Sequence, residues 1–267
     1  MRAKSLSLYG NQRETTPNLS RYSREGVVFE NAIAPSSWTL PSHASMFTGK
    51  YPHQLSVDWH TPLDDTFSTI ADELTIHNYR TAGFVSNFSY CSYEQGLSRG
   101  FEHFEDYPIS LGQLVLSASL LRELTTSDIV RNHFDYHEML NRKPAHIITD
   151  SFLKWVSLQN DERPYFAFLN YYDAHAPYLP PPPYDEYFGA RRPADTDFAH
   201  LPSFITRRDK WSLSEQEIQY EFDAYEGAIA YLDSEIGRLL DTLERLDERS
   251  DTIVIITSDH GEQFGEH

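Results

Sequence analysis

The sequence predicts an α/β domain built around a mostly parallel sheet. Two observations carry this expectation. Apolar runs of strand length alternate with longer segments of helical period. The longest β-branched run is apolar throughout, as a strand buried on both faces is. At 267 residues the chain is long enough for one large domain with a substantial core. No internal repeat or low-complexity linker divides it, so residues 1–267 are read as a single domain.

The elements follow in order. Thr16-Pro17-Asn18 opens a short helix, with Pro17 suited to the first helical position, and Gly26 stops it. Val27-Val28-Phe29 then starts a strand-like run. Residues 65–79 have a helical pattern, and Ala82-Gly83-Phe84-Val85 follows as a strand. Residues 145–158 are helical, and Tyr165-Phe166-Ala167-Phe168-Leu169 reads as a buried strand. The clearest helix runs from Ser214 to about Leu246. Ile218, Phe222, Tyr225, Ile229, Leu232, Ile236, Leu239 and Leu243 lie on one face of it. Ser214 and Glu217 form a capping box at its start. Thr252-Ile253-Val254-Ile255-Ile256-Thr257 is the β-branched run expected to be a central parallel strand. Pro180 to Pro183, and the residues from Tyr184 to Arg208, read as an irregular excursion.

Charge narrows the function. Forty acidic residues against 22 basic ones give a net charge of -18. Such a surface repels nucleic acid and anionic membranes, so neither is an expected partner. Five of the basic residues are lysine and the rest arginine; acid-rich and lysine-poor is what a protein from a high-salt cytoplasm looks like, and a merely acidic mesophilic protein fits as well. No apolar run approaches the roughly 20 residues of a membrane span. Met1-Arg2-Ala3-Lys4 lacks the apolar stretch of a signal peptide, and a cytoplasmic location is expected. The lone Cys91 allows no intrachain disulfide.

Ligands of open α/β sheets gather at the carboxyl ends of the strands, and three polar clusters fall where that rim is expected. Ser258-Asp259-His260-Gly261-Glu262 follows the run 252–257. Asp259 offers a hard oxygen and His260 a borderline nitrogen, a natural pair of metal ligands; a helix N-cap at Asp259 accounts for the same residues. Tyr172-Asp173-Ala174-His175-Ala176-Pro177-Tyr178 holds a histidine in a proline-containing loop. His175 there suits an anionic ester or its leaving group, or is part of a surface turn. Third, Thr39 precedes Pro41 at a helix start, a favourable place for an attacking oxygen and for an anion, and equally an ordinary capping position.

The order and wording of these clusters resemble a known family. Thr39-x-Pro41-Ser42-x-x-Ser45-x-x-Thr48-Gly49, followed by Tyr51-Pro52-His53, is similar to the sulfatase signature around the catalytic nucleophile. Leu6-Ser7-Leu8-Tyr9-Gly10, Thr16-Pro17-Asn18-Leu19, residues 25–32, residues 96–101, His175-Ala176-Pro177-Tyr178 and residues 257–267 also match in order. The resemblance implies an alkaline phosphatase-like sandwich, with a mostly parallel central sheet flanked by helices. It implies a metal-dependent hydrolase of sulfate esters or chemically similar phosphate esters, acting on a small-molecule or glycan ester. It places Thr39 at the nucleophile, Asp259 and His260 with Thr39 around one or two divalent ions (Ca, Mg, Mn or Zn), and His175 on the transferred group or leaving oxygen.

The departures matter as much. Relatives that use formylglycine carry Cys or Ser at the nucleophile and an arginine where this chain has His43. A threonine nucleophile suits phosphate esters, so a phosphoryl or phosphodiester transferase is an alternative to the hydrolase. His43 replaces the arginine electrostatically only when protonated. Relatives carry a strand and an Asp-x-x-Arg-Ala-Asp motif before Leu6. Here Arg2-Ala3 is present, Lys4 stands at the second aspartate, and the first strand and a C-terminal subdomain are expected to be missing. The expected consequences are weakened ion binding, little or no turnover, an aggregation-prone sheet, and, as the alternative to an enzyme, a degenerate non-catalytic homologue.

Overall fold

The computed structural model describes residues 1–106, 142–158, 162–189, 214–246 and 248–264. Its sheet has three parallel strands in the order β2-β1-β3: β1 (Arg80–Val85), β2 (His103–Glu105) and β3 (Tyr165–Asn170). Ala82 is level with His103 on one side and with Ala167 on the other. The helices are α1 (Pro17–Tyr22), α2 (Thr39–Thr48), α3 (Ile70–Ile76), α4 (Ala145–Ser157) and α5 (Glu215–Arg245).

Period-two alternation on β1 and β3 sends side chains into two cores. Ala82 and Phe84 face a cluster with Ile148, Phe152 and Val156 of α4 and Leu232, Ile236, Leu239, Leu240 and Leu243 of α5. Val85 and Phe168 face the other side, against Leu40, Ala44 and Phe47 of α2 and against Leu97 and Phe101. Each large apolar side chain buried here contributes about 1.5–3 kcal/mol. Gly83, on the α2 side, is required: a Cβ there would lie 2.6 Å from the Phe104 ring.

The stripe read from α5 is the face that is buried, and the Ser214–Glu217 capping box forms as expected. α5 also docks the N-terminal segment. Asp233, buried on α5, accepts from the Asn18 and Leu19 amides, at 2.9 Å each, and so caps α1. Gly237, one turn on, makes room for Asn18, whose Cγ is 2.5 Å from where a Cβ would stand. Asp233→Ala leaves two amides without their acceptor at a buried helix start. It is expected to lower unfolding free energy by about 2–3 kcal/mol, read as a fall in the urea midpoint.

Three expectations are corrected. The helix expected over 65–79 is only Ile70–Ile76. Thr69 and Asp72 form a capping box that starts it late, while Asp64 accepts from the Thr66 amide and holds the preceding residues in a turn. Asn78, at φ 64, ends it. The runs 27–29 and 252–257 are not strands. No backbone ladder joins either to a neighbour among the described residues, and a β-branched run without a partner has no sheet to enter. Their apolar side chains are exposed, Ile253 at 89% and Phe29 at 70%. The excursion from Pro180 is irregular through Gly189; residues 190–208 of it, and 265–267 of the C-terminal motif, lie outside the described residues.

Candidate active site

α2 carries two of the expected residues. Trp38 is its N-cap and Thr39 its first helical residue, so the helix begins two residues earlier than Pro41 implies. Pro41 falls in the first turn, where its missing N–H would have had no intrahelical acceptor. The Thr39 hydroxyl thereby sits in the positive field of the helix start. One turn on, buried His43 places Nδ1 2.8 Å from the Thr39 carbonyl.

The loop after residue 257 meets this helix end. The Ser42 hydroxyl donates to the Asp259 carbonyl at 2.7 Å, which fixes the loop backbone. Thr39 Oγ1 is then 3.2 Å from His260 Nε2 across 221 residues of sequence. Asp259 Oδ2 lies 3.4 Å from His260 Nε2 and 3.7 Å from His43 Nδ1. Thr39, His43, Asp259 and His260, expected together from motifs alone, are in one place.

Hydrogen-bond partners assign the tautomers. His43 Nδ1–H donates to the Thr39 carbonyl, so Nε2 accepts from Asn170 Nδ2 at 3.4 Å. His260 Nδ1–H donates to the Gly261 carbonyl at 2.8 Å, and its Nε2 faces Thr39 and Asp259. Burial holds the His43 pKa below its ordinary value, against the opposing pull of Asp259. The positive charge an arginine would bring is therefore not supplied by His43 at neutral pH.

His175 completes the constellation. Its ring stacks on Tyr172 at 4.4 Å and meets the His260 ring edge-on at 6.2 Å. Nδ1 pairs with the Ala176 carbonyl at 2.8 Å, which leaves Nε2 as the ring's second polar atom. Burial lowers its pKa as well. Asp173, from the same cluster, serves elsewhere: its carboxylate accepts from the Ala145 amide at 3.1 Å and caps α4. Asn170 is the residue the motifs did not reveal. It ends β3, accepts from the Asn87 amide at 3.0 Å and holds His43. Its place at a strand's carboxyl end was the available signal.

The donor types suit a divalent ion. His260 Nε2 and the Asp259 carboxylate set a nitrogen and an oxygen 3.4 Å apart beside a hydroxyl. A borderline nitrogen and a hard oxygen at that spacing are groups that could share a divalent cation. The set is small: among the described residues no group of three or more His, Cys, Asp or Glu side chains gathers as a metal site. Lys4, expected beside such an ion, is exposed.

The chain matches known proteins over its whole length. The family model described as Sulfatase matches residues 1–267. An arylsulfatase of Clostridium perfringens is 24% identical, the match covering 100% of this chain and 62% of that protein. The crystal structure of a phosphonate monoester hydrolase of Agrobacterium radiobacter superposes with a TM-score of 0.73 at 21% identity, over 100% of this chain and 62% of that one. A structure solved in complex with its substrate, D-glucosamine-2-N,6-O-disulfate, superposes at 0.61 and 18% identity, over 92% and 60%. The shared fold is the alkaline phosphatase-like one, with a parallel sheet flanked by helices, and the chain spans less than two thirds of the length of these proteins.

Proposed function

The chain belongs to the sulfatase family, and on that premise we propose that it carries the nucleophile end of a metal-dependent site for hydrolysing sulfate esters or the chemically similar phosphate and phosphonate esters. The observation that supports this reading most is the convergence of Thr39 Oγ1 on His260 Nε2 at 3.2 Å beside Asp259. Thr39 is the attacking oxygen, held at a helix start where an anionic ester is favoured. Asp259 and His260 Nε2, with Thr39, hold a divalent ion. When bound, such an ion lowers the pKa of the hydroxyl and neutralises charge on the ester oxygens. His43, held by Asn170, supports the helix end at Thr39, and Ser42 holds the loop beside it. His175 Nε2 contacts the transferred group or its leaving oxygen.

The small donor set favours a second reading, a protein that binds anionic esters without turning them over. One assay separates the two. The purified protein is given 4-nitrophenyl sulfate, 4-nitrophenyl phosphate, bis(4-nitrophenyl) phosphate and a phenylphosphonate monoester, each with Mg, Ca, Mn or Zn and with chelator. Turnover is expected to be slow, as the small donor set implies, and the nitrophenol that is released is expected to need the ion and to stop with chelator. Cleavage of only the phosphorus esters assigns the threonine to phosphoryl chemistry. Cleavage unchanged by chelator overturns the metal-dependent reading, and no cleavage under any condition leaves ester binding alone.

A further inference from the structure

Two indole rings stand half in water, one of them on the residue that precedes Thr39. Trp38, the residue before Thr39, is 51% exposed, and Trp59 is 43% exposed. Their ring centroids are 5.4 Å apart, and the His60 ring lies 3.5 Å from that of Trp59. Three neighbouring rings left partly in solvent forgo burial that each would otherwise gain.

The cluster is held outward by structure on both sides. Trp38 is the N-cap of α2: its amide donates to Ser36 Oγ at 3.1 Å and its carbonyl accepts from the Ser42 amide at 3.2 Å. Trp59 and His60 sit on a tight turn, in which Asp58 Oδ1 accepts from the His60 amide at 2.7 Å and the Thr61 amide at 2.6 Å. Val57 and Leu63, at either end of the turn, are buried in the core on the α2 side of the sheet. The turn is thus anchored at both ends, and Trp38 joins the ring pair to Thr39 along the chain.

We infer that Trp38 and Trp59 form the platform for the organic part of the ester, and that this part carries a ring whose flat face lies on the indoles. The inference rests on the reading of Thr39 as the residue that meets the ester's anionic group, since Trp38 adjoins it in the chain. A ring is the fitting class because an indole face favours stacking on flat π systems or on the C–H face of a sugar. A short alkyl ester reaches the anion position and leaves the platform bare. Aryl and pyranose rings share the required shape.

The test uses calorimetric binding, so that it does not depend on turnover. Methyl sulfate, 4-nitrophenyl sulfate and glucosamine 6-sulfate are titrated into the chain and into Trp59→Ala, Trp59→Phe and Trp38→Ala. The parent protein is expected to bind at least one ring ester about tenfold more tightly than methyl sulfate, and the arm that does so identifies aryl or pyranose as the source. Trp59→Ala and Trp38→Ala are expected to erase that preference with methyl sulfate binding unchanged, and Trp59→Phe to keep most of it. A ring preference that survives both alanine substitutions, or no preference in the parent protein, overturns the platform. Thr39→Ala is titrated alongside them: if it binds methyl sulfate as tightly as the parent and keeps the ring preference, the platform stands and Thr39 is removed from the anion site.

Discussion

Thr39→Ala is expected to lower kcat/KM for ester cleavage by at least about a thousandfold, because it deletes the attacking oxygen itself. The substitution is favourable as a test because the fold asks little of the side chain. Thr39 is the first residue of α2, a position alanine occupies without strain. Among the described residues its hydroxyl has one side-chain neighbour within hydrogen-bond reach, His260 Nε2 at 3.2 Å. Losing that bond costs about 1 kcal/mol, a fall in thermal midpoint of roughly 2–4 °C for a chain of this size. Activity and stability thus separate cleanly. Thr39→Ser keeps the oxygen and is expected to keep measurable turnover. Activity in Thr39→Ala within tenfold of the parent would sink the nucleophile assignment, and with it the role given to the start of α2. A large loss of thermal midpoint would show instead that Thr39 is a packing residue.

What the sequence revealed of this molecule follows from which forces are local. α1, α4 and α5 were legible because helix periodicity, Pro17 and the Ser214–Glu217 pair act within one segment. β1 was legible because its apolar run is buried between two helical layers. β3 was legible as an apolar run, but it was expected to be buried and instead lies at the edge of the described sheet with each residue only partly buried. Residues 252–257 have the same composition as a buried strand, yet a strand is a relation between chains of hydrogen bonds, and composition does not supply the neighbour. In the site, Thr39, His43, Asp259 and His260 were brought together by motif order and lie together in space. Asn170 escaped because its work, holding the His43 ring, depends on the register of β3 beside β1. Asp173 was legible as part of a cluster, but its use as the cap of α4 depends on where that helix begins.

The register of β1 also sets the largest expected effect on stability, that of Phe84→Ala. Phe84 is fully buried in the central strand, level with Glu105 on one side and Leu169 on the other. Its ring meets Phe152 at 5.8 Å, Trp155 at 6.2 Å and His103 at 5.3 Å, so it links the sheet to α4 and to the end of β2. Truncation to alanine removes the ring from the middle of that cluster. The neighbours have limited means to close the gap, because Phe152 and Trp155 are fixed on α4 and the sheet is filled from its other face by Phe104 over Gly83. The expected cost is about 3–5 kcal/mol, against a total stability of roughly 5–15 kcal/mol for a domain. In urea the midpoint is expected to fall with the slope unchanged, and Phe84→Leu, which refills most of the space, to recover more than half of the loss. A loss below about 1 kcal/mol would mean that the α4 layer does not close on β1 as described. Because β1 runs on into Ser86 and Asn87, and the Asn87 amide holds Asn170, a loosened β1 also loosens the support of His43. Phe84→Ala is therefore expected to weaken ester binding as well, although Phe84 lies in the core on the side of the sheet opposite α2.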